Sequence, residues 1–172
     1  MKKLEIIKNA VLILLIFTVK VTSQSLSWAR SFGGTNSETS GVIVSENTGD
    51  LYIAGTFMDT VDFDPGPSVY NMISANGKDA FILKLDSAGS FIWVKTISGS
   101  GSQSITNLIT TNSNVLLISM YSEMTDDFDP GVSVYSITSF GDFDAFILKL
   151  DTPGSFIWVK QIGGEQGGSP GL

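Results

Sequence analysis

With 172 residues and a hydrophobic fraction of 42%, the chain is long and apolar enough for a globular domain, which excludes an intrinsically disordered protein. Its formal net charge of −7 disfavours nucleic acid as a partner, because an acidic surface repels phosphate groups. The chain contains no His and no Cys, which excludes Ser-His-Asp triads, cysteine nucleophiles, disulfides and the usual ligands of zinc.

Residues 1–24 have the layout of a secretory signal peptide. Three lysines precede an apolar run from Ala10 to Val19, and small or polar residues follow it up to Gln24. The alternative is a membrane anchor, but the run is far shorter than the roughly 20 residues that a spanning helix needs. We therefore predict cleavage near Gln24, a secreted or cell-surface protein, and no stable membrane span after cleavage. The mature chain would carry six Lys and Arg against 16 Asp and Glu, a net charge of −10.

The rest of the chain is dominated by a 65-residue repeat. Its markers are Trp28, Trp93 and Trp158, the string DFDPG at Asp62 and Asp127, and the string DAFILKLD at Asp79 and Asp144. No insertion or deletion separates the copies, and about half of the aligned positions are identical. The predicted repeats are residues 33–97 and 98–162, preceded by the last strand of a partial unit, residues 25–32, and followed by the start of a truncated third repeat, residues 163–172. This period predicts stacked units that bury their faces against one another.

Four segments of each repeat have the composition of β-strands. In the first copy they are GVIVS from Gly41, LYIAGTF from Leu51, AFILKL from Ala80 and FIWVKTI from Phe91. Turn-forming residues separate them, with a longer excursion around DFDPGPS between the second and third segments. The last two segments are apolar on both faces, so both faces must be covered. We therefore predict an all-β fold of four-stranded antiparallel blades of the β-propeller type, forming an incomplete propeller.

The run DAFILKLDSAGSFIWVKTI, preceded by LYIAGTF and the DFDPGP loop, resembles the SBBP family, the seven-bladed β-propeller repeats of secreted bacterial proteins, including many from Bacteroidetes. The resemblance extends from about Ser27 to Leu172. It implies a secreted or cell-surface propeller that is commonly one part of a larger protein with adhesion or sorting modules. The second copy departs from the pattern where Met120 replaces Gly55, so its second strand is expected to lack a close backbone approach.

Two repeats are too few for a closed ring, since propellers use about 4 to 8 blades. We therefore expect this chain to be the N-terminal portion of a longer protein or a truncated product. The alternative is self-association, in which several copies supply the missing blades. Uncovered apolar faces and open strand edges favour such association.

The DFDPG loops are the most site-like feature of the sequence. Each places two carboxylates on a turn, Asp62 and Asp64 in the first copy and Asp127 and Asp129 in the second. Ca²⁺ prefers carboxylate oxygens, so these four residues are the candidate metal ligands and calcium is the one candidate cofactor. The alternative is turn chemistry, in which the carboxylates accept backbone hydrogen bonds and Pro-Gly takes the centre of a type II turn.

The remaining candidates favour structure over catalysis. Asp79 and Asp144 open the third strand and are expected to bind turn backbone, and the tryptophans are expected to pack between units. No spacing of acidic residues selects a catalytic pair, so we predict no catalytic residues and no enzyme. The predicted function is a structural or binding scaffold whose partner is an extracellular protein or a glycan. The alternative is the non-catalytic opening part of an extracellular propeller enzyme that acts on polysaccharide.

Overall fold

The computed structural model describes residues 27–111 and 113–164, and within these ranges the chain forms strands and turns with no helix. None of the described residues therefore belongs to a helix long and apolar enough to cross a membrane. The predicted signal peptide and most of the predicted third repeat lie outside the described ranges. The strands are β1 (Gly33–Gly34), β2 (Thr39–Ser45), β3 (Leu51–Phe57), β4 (Thr60–Asp62), β5 (Asn71–Ile73), β6 (Asp79–Leu85), β7 (Phe91–Gly99), β8 (Gln103–Thr111), β9 (Val115–Ser122), β10 (Thr125–Asp127), β11 (Ser136–Thr138), β12 (Asp144–Asp151) and β13 (Phe156–Ile162).

The strands form antiparallel sheets that follow the 65-residue repeat. In the first repeat, strands are hydrogen-bonded in the order β2-β3-β6-β7, which we call the first sheet. In the second repeat, the order β8-β9-β12-β13 forms the second sheet. The prediction of an all-β fold with antiparallel sheets is confirmed. Two strands begin slightly earlier than the sequence indicates, β2 at Thr39 and β6 at Asp79.

The excursion between the second and third strands of each repeat forms a hairpin, which the sequence does not predict. The hairpins are β4 with β5 in the first repeat and β10 with β11 in the second. Each pairs with the chain leading out of the preceding repeat, because β4 pairs with β1 and β10 pairs with Ser98 and Gly99 of β7. β7 therefore continues past Ile97, the predicted end of the first repeat. Backbone hydrogen bonds link consecutive repeats at this point.

A β-bulge interrupts the pairing of the first two strands at the same position in both sheets. Gly41 is the extra residue in the first sheet and Thr106 in the second. Beside the first bulge, Gly55 lies so close to the neighbouring backbone that an added Cβ would overlap the Thr39 carbonyl oxygen. Met120 takes the equivalent position in the second sheet, with its side chain buried. The second sheet therefore lacks this close approach, as the change from Gly55 to Met120 predicts.

The turn between the last two strands of each repeat has the same kind of hydrogen bond in both copies, from a backbone N–H group to an Asp side chain. Asp86 Oδ1 accepts hydrogen bonds of 2.8 Å from the backbone N–H groups of Ala88 and Ser90. The bond from Ser90 is the main reason why the pKa of Asp86 is lowered from its ordinary value. In the second repeat, Asp151 Oδ1 accepts a bond of 2.6 Å from the Ser155 N–H group. These recurring acids therefore stabilise the turns.

The two sheets stack and share the larger hydrophobic core. The rear face of the first sheet, defined by Val44, Tyr52, Ala54 and Ile82, packs on the front face of the second sheet, defined by Leu108, Leu116, Ile118, Phe146 and Leu148. A second cluster lies on the front face of the first sheet and comprises Phe57, Phe63, Phe81 and Leu83, with Phe32 packed against it. Burying each large side chain stabilises the fold by about 1.5–3 kcal/mol, so each sheet depends on the other for stability.

The third strand differs most in burial between the two copies. β6 and β12 share the sequence DAFILKL, yet six of the seven β6 residues are buried whereas buried residues alternate along β12. Ile82 is 0% exposed and its equivalent Ile147 is 36% exposed. The second sheet covers the rear face of β6, but none of the described residues covers the rear face of β12. Both faces of β6 are therefore covered within the described residues, and for the rear face of β12 the prediction of a covered face stays a prediction.

Candidate functional site

In the first DFDPG loop, both carboxylates bind the backbone of the loop. Asp62 Oδ1 accepts hydrogen bonds from the N–H groups of Asp64, at 3.0 Å, and Tyr70, at 2.8 Å. Asp64 Oδ1 accepts a bond of 2.7 Å from the Gly66 N–H group. Gly66 does not have the positive φ that the third residue of a type II turn requires, so the predicted turn type is wrong. The Asp64 side chain instead forms the turn by taking the Gly66 N–H group.

The second DFDPG loop has the same geometry. Asp127 Oδ1 accepts bonds from the N–H groups of Asp129, at 3.0 Å, and Tyr135, at 2.8 Å, and Asp129 Oδ1 accepts one of 2.8 Å from Gly131. The structure thus brings Asp62 close to Asp64 and Asp127 close to Asp129. Among the described residues, no group of three or more His, Cys, Asp or Glu side chains could hold a metal ion. Calcium, which needs about six to eight oxygens, stays a prediction.

The acids that open the third strands bind the loops before them, as predicted. Asp79 Oδ2 accepts a hydrogen bond of 2.9 Å from the Ala75 N–H group. Asp144 Oδ2 accepts one of 2.9 Å from Phe140 N–H and one of 2.7 Å from the side-chain amide of Gln161. Both carboxylates are fully buried. They therefore hold the hairpin excursions against the sheets.

The tryptophans differ in their surroundings. Trp93 packs against the shared core, with its ring centroid 5.9 Å from that of Tyr52, so the packing prediction is confirmed for this residue. Trp28 donates a hydrogen bond of 3.2 Å from its indole N–H group to the Ser87 carbonyl oxygen. Trp158 lies on the rear face of the second sheet, where the Lys149 ammonium group is 5.8 Å from its ring centroid.

A buried polar cluster between the two repeats is not predicted from the sequence. This junction cluster consists of Asp79, Gln103, Ser122 and Asp126, each at most 2% exposed. The Gln103 side-chain amide donates to Asp126 Oδ1 at 2.6 Å and to the Gly101 carbonyl oxygen at 3.0 Å. Each member also has one buried oxygen without a hydrogen-bond partner among the described residues, namely Asp79 Oδ1, Gln103 Oε1, Ser122 Oγ and Asp126 Oδ2. The network is only partly satisfied, which disfavours charge within it.

The electrostatics of the junction cluster shift both of its carboxyl groups. The pKa of Asp126 is raised to about 7, chiefly by burial; the hydrogen bond from the Gln103 amide opposes the rise, and the negative charges of Asp79 and Glu123 add to it. Burial also raises the pKa of Asp79. An ordinary Asp has a pKa of about 3.9 and is ionised at neutral pH, whereas Asp126 holds its proton up to about pH 7. Because the cluster is closed to solvent, its acids cannot reach a substrate.

The 65-residue alignment does contain a signal for the junction cluster. Ser122 and Asp126 of the second copy replace Phe57 and Val61 of the first, both of which are 0% exposed. Polar residues at positions that are buried and apolar in the other copy indicate a buried network. Positions that are identical in the two copies do not reveal the junction cluster, because Ser122 and Asp126 differ from their equivalents Phe57 and Val61.

A polar groove lies between a turn of the first sheet and a turn of the second. It has a volume of about 250 Å³ and is lined by Ser45, Glu46, Asn47, Thr48, Thr110, Thr111 and Asn114. Beside it, the Lys84 ammonium group is 3.6 Å from Glu46 and 3.2 Å from Asp50. The Tyr52 hydroxyl donates to Glu46 at 2.9 Å, and burial raises the pKa of Tyr52 to about 12. This lining, rich in hydroxyl and amide groups, suits a hydroxylated ligand.

Comparison with protein-family models finds no match to this chain, and comparison with curated proteins finds none either. Function is therefore inferred from the repeat, the stacked sheets and the surfaces described above.

Proposed function

We propose that the protein is a secreted or cell-surface scaffold made of SBBP-type β-propeller repeats, and that this chain forms an incomplete propeller. The observation that carries the proposal is the stacking of two four-stranded sheets, 65 residues apart in sequence, around one shared core. Stacked, sequence-related antiparallel sheets are typical of propeller blades, in which each blade is covered by its neighbours. The pairing of β10 with the end of β7 adds backbone bonds between the two sheets to this packing.

The proposed location outside the cytoplasm is supported by residues 1–24, which combine lysines, an apolar run and small or polar residues near Gln24. The test is to recover the native product from its source and to determine its N-terminus and intact mass in the medium, the envelope and the cytoplasm. We expect a product outside the cytoplasm that begins near Ser25. A cytoplasmic product that retains residues 1–24 contradicts secretion and leaves the repeat architecture unaffected.

The proposed role is binding rather than catalysis, with an extracellular glycan or protein as partner. The polar groove supports a glycan, because its hydroxyl, amide and carboxylate groups can exchange hydrogen bonds with sugar hydroxyls. The groove spans both repeats, so stacking of the two sheets creates it. A rigid scaffold with a site between neighbouring repeats is a common arrangement in repeat proteins.

Binding is tested on an array of bacterial and plant oligosaccharides with the wild-type chain and the double variant Asn47→Ala, Thr110→Ala. We expect the variant to lose at least about tenfold in affinity for any bound glycan, since two hydrogen-bonding side chains are removed. Ser133→Ala, on the second hairpin loop and outside the groove, is the control and keeps wild-type binding. Release of reducing ends from polysaccharide by the wild-type chain would instead favour the propeller-enzyme alternative.

A further inference from the structure

The rear face of the second sheet is an apolar surface that no described residue covers. Ile109, Ile147 and Ile162 on this face are 49%, 36% and 58% exposed. A shallow cavity of about 230 Å³ lies on it, lined by Asn107, Ile109, Leu117, Ile118, Ser119 and Ile147. The equivalents of Ile147 and Ile162 in the first sheet, Ile82 and Ile97, are 0% exposed because the second sheet packs on them. The uncovered rear face of the second sheet is thus equivalent in the repeat to the rear face of the first sheet. That face already forms one half of the interface between the two sheets.

The other half of that interface is uncovered in part, at the opposite end of the stack. On the front face of the first sheet, Ile43 is 64% exposed and Leu51 and Ile53 are only partly buried. Their equivalents in the second sheet, Leu108, Leu116 and Ile118, are 1%, 0% and 0% exposed because the first sheet covers them. The positions of Leu51 and Ile53 are identical in the two copies, and Ile43 differs from Leu108 only in branching. Complementary faces at opposite ends of one molecule favour head-to-tail contact between copies.

Residues 27–34 occupy one part of this front face. Trp28 lies against Gly89 of the first sheet in the way that Trp93 lies against Gly154 of the second. The Phe32 ring is 5.4 Å from the Phe63 ring, between centroids, in the place that Ile97 takes one repeat later. β13 of an incoming copy would need this same place, because residues 27–34 and 157–164 are equivalent in the repeat.

Residues 27–34 and β13 of an incoming copy differ in how many backbone and side-chain contacts hold them in place. Within residues 27–34 only Gly33 and Gly34 belong to a strand, β1, which pairs with β4 at two positions, whereas β13 pairs with β12 at six positions from Ala145 to Leu150. The indole bond from Trp28 to Ser87 is exposed to solvent, and such a bond contributes only about 0.5–1.5 kcal/mol. β13 of a second copy brings Trp158, the equivalent of Trp28, together with a whole sheet face. We therefore expect β13 of a second copy to displace residues 27–34 from this face.

We infer that copies of this chain associate head to tail, with the rear face of the second sheet of one copy bound to the front face of the first sheet of the next, where β13 displaces residues 27–34. The inference deepens the proposed function, since it takes the stacking of repeats within the chain as the pattern for stacking between chains and names the partner as a second copy. Residues 27–34 then act as an internal competitor that weakens association. A head-to-tail contact forms a ring if its rotation closes and a filament if it does not.

The test is sedimentation velocity of residues 25–172 over a wide range of concentrations. We expect the wild type to form dimers and larger species, and Ile43→Lys and Ile147→Lys each to sediment as a monomer. Because each variant keeps one intact face, an equimolar mixture of the two forms dimers and nothing larger. Val132→Lys is the matched control, since Val132 is 105% exposed on a hairpin loop away from both faces, and it associates like the wild type. Circular dichroism checks that every variant is folded.

Trp28→Ala tests the role of residues 27–34 as a competitor. Loss of the indole contacts weakens the hold of the segment, so we expect association of this variant to tighten by about threefold to tenfold. A wild type that is folded and monomeric at all concentrations, or a mixture of Ile43→Lys and Ile147→Lys that stays monomeric, overturns the inference. Either result leaves the N-terminus and glycan experiments unaffected, so failure of association is distinguishable from failure of the proposed function.

Discussion

Asp62 and Asp127 have their Oδ1 atoms on backbone N–H groups of the hairpin loops, whereas Asp79 and Asp126 each keep a buried oxygen without a partner among the described residues. The first pair therefore stabilises turns. The second pair is destabilised by ionisation, because a charge in a poorly hydrogen-bonded interior lacks the solvation it has in water. The pKa of Asp126 is accordingly raised, whereas that of Asp86, which accepts backbone hydrogen bonds at the surface, is lowered.

Replacing Asp62 by Ala is expected to destabilise the protein by about 1–3 kcal/mol, since the N–H groups of Asp64 and Tyr70 lose their acceptor. Asp62→Asn keeps an acceptor oxygen at the same place and is expected to lose much less. Urea unfolding of both variants gives the two free energies. Equal losses in Ala and Asn would show that charge, rather than hydrogen bonding, is what the loop needs.

The calcium prediction is tested by thermal unfolding of the wild type and Asp64→Ala with excess Ca²⁺ and with a chelator. Bound calcium raises the melting temperature of the wild type through mass action, and Asp64→Ala removes the rise. If the loops serve only as turns, Ca²⁺ leaves both melting curves unchanged and Asp64→Ala is merely less stable. Mg²⁺ at the same concentration is the control for ionic strength.

Asp126→Asn is expected to change how stability depends on pH. The pKa of Asp126 is about 7 in the folded protein and about 3.9 when unfolded, so between these values the folded state holds a proton that the unfolded state has lost. This stabilisation is complete below about pH 4 and falls by up to about 1.4 kcal/mol per pH unit as the pH rises to 7. Asn keeps the acceptor for Gln103 and cannot ionise, so the variant should be more stable than the wild type at pH 8 and similar at pH 4.

Urea unfolding at several pH values measures this difference. Asp142→Asn, at an exposed position, is the control and should follow the wild type throughout. Parallel curves for the wild type and Asp126→Asn would contradict a raised pKa at Asp126.

At the scale of the strands, the repeat preserves backbone geometry more strictly than it preserves side chains. The bulge on the first strand recurs at Gly41 and Thr106, although the residues around it differ between the copies. The hairpin excursions also recur with equivalent pairing, Asp62 opposite Asn71 and Asp127 opposite Ser136. Bulges redirect a strand and increase its twist, so an unchanged bulge keeps both sheets in a shape that can stack.

Gly55→Ala is expected to destabilise the protein by about 1–3 kcal/mol, because the new Cβ overlaps the Thr39 carbonyl oxygen beside the bulge and the two strands must separate. Gly33→Ala is the matched control, since its Cβ would meet the Glu38 carboxylate at 3.6 Å, an ordinary contact. The control should change stability by less than about 0.5 kcal/mol. Urea unfolding measures the loss of stability in the two variants. Equal losses in Gly55→Ala and Gly33→Ala would contradict the close approach at Gly55.

At the scale of the whole molecule, the shared core makes the two repeats one cooperative unit. Tyr52, Ala54 and Ile82 of the first repeat lie in one cluster with Leu116, Ile118 and Leu148 of the second. Unfolding either sheet would expose the face of the other, which is costly for sheets of this size. We therefore expect both sheets to unfold together.

Ile118→Ala should lower the free energy of unfolding by about 2–5 kcal/mol, since Ile118 is 0% exposed at the contact of the two sheets. Tryptophan fluorescence, far-UV circular dichroism and calorimetry should report a single coincident transition in the wild type. Ile157→Ala, at a position 43% exposed, is the control and should lose less than about 1 kcal/mol. Two separate transitions in the wild type would contradict a shared core.

The sequence by itself determined the all-β class, the four main strands of each repeat and the turn acids, because strand composition, turn residues and a 65-residue period are all local or periodic signals. The hairpins were not predicted, because β4 and β10 are only three residues long and are stabilised by pairing with β1 and with the end of β7. The turn type at Gly66 was also not predicted correctly from the sequence, since the Gly66 N–H group donates its hydrogen bond to the Asp64 side chain.

Only the tertiary structure decided which faces are buried and which acids change their pKa. The strands β6 and β12 share the seven-residue sequence DAFILKL, yet Ile82 is covered and Ile147 is not. In the same way, the pKa of Asp126 is about 7, because its carboxyl group is buried with another carboxyl group. The pKa of Asp86 is lowered, because its carboxylate accepts hydrogen bonds from backbone N–H groups at the surface. Burial and desolvation depend on what packs against a residue, and identical stretches of sequence acquire different neighbours at the middle and at the end of a stack.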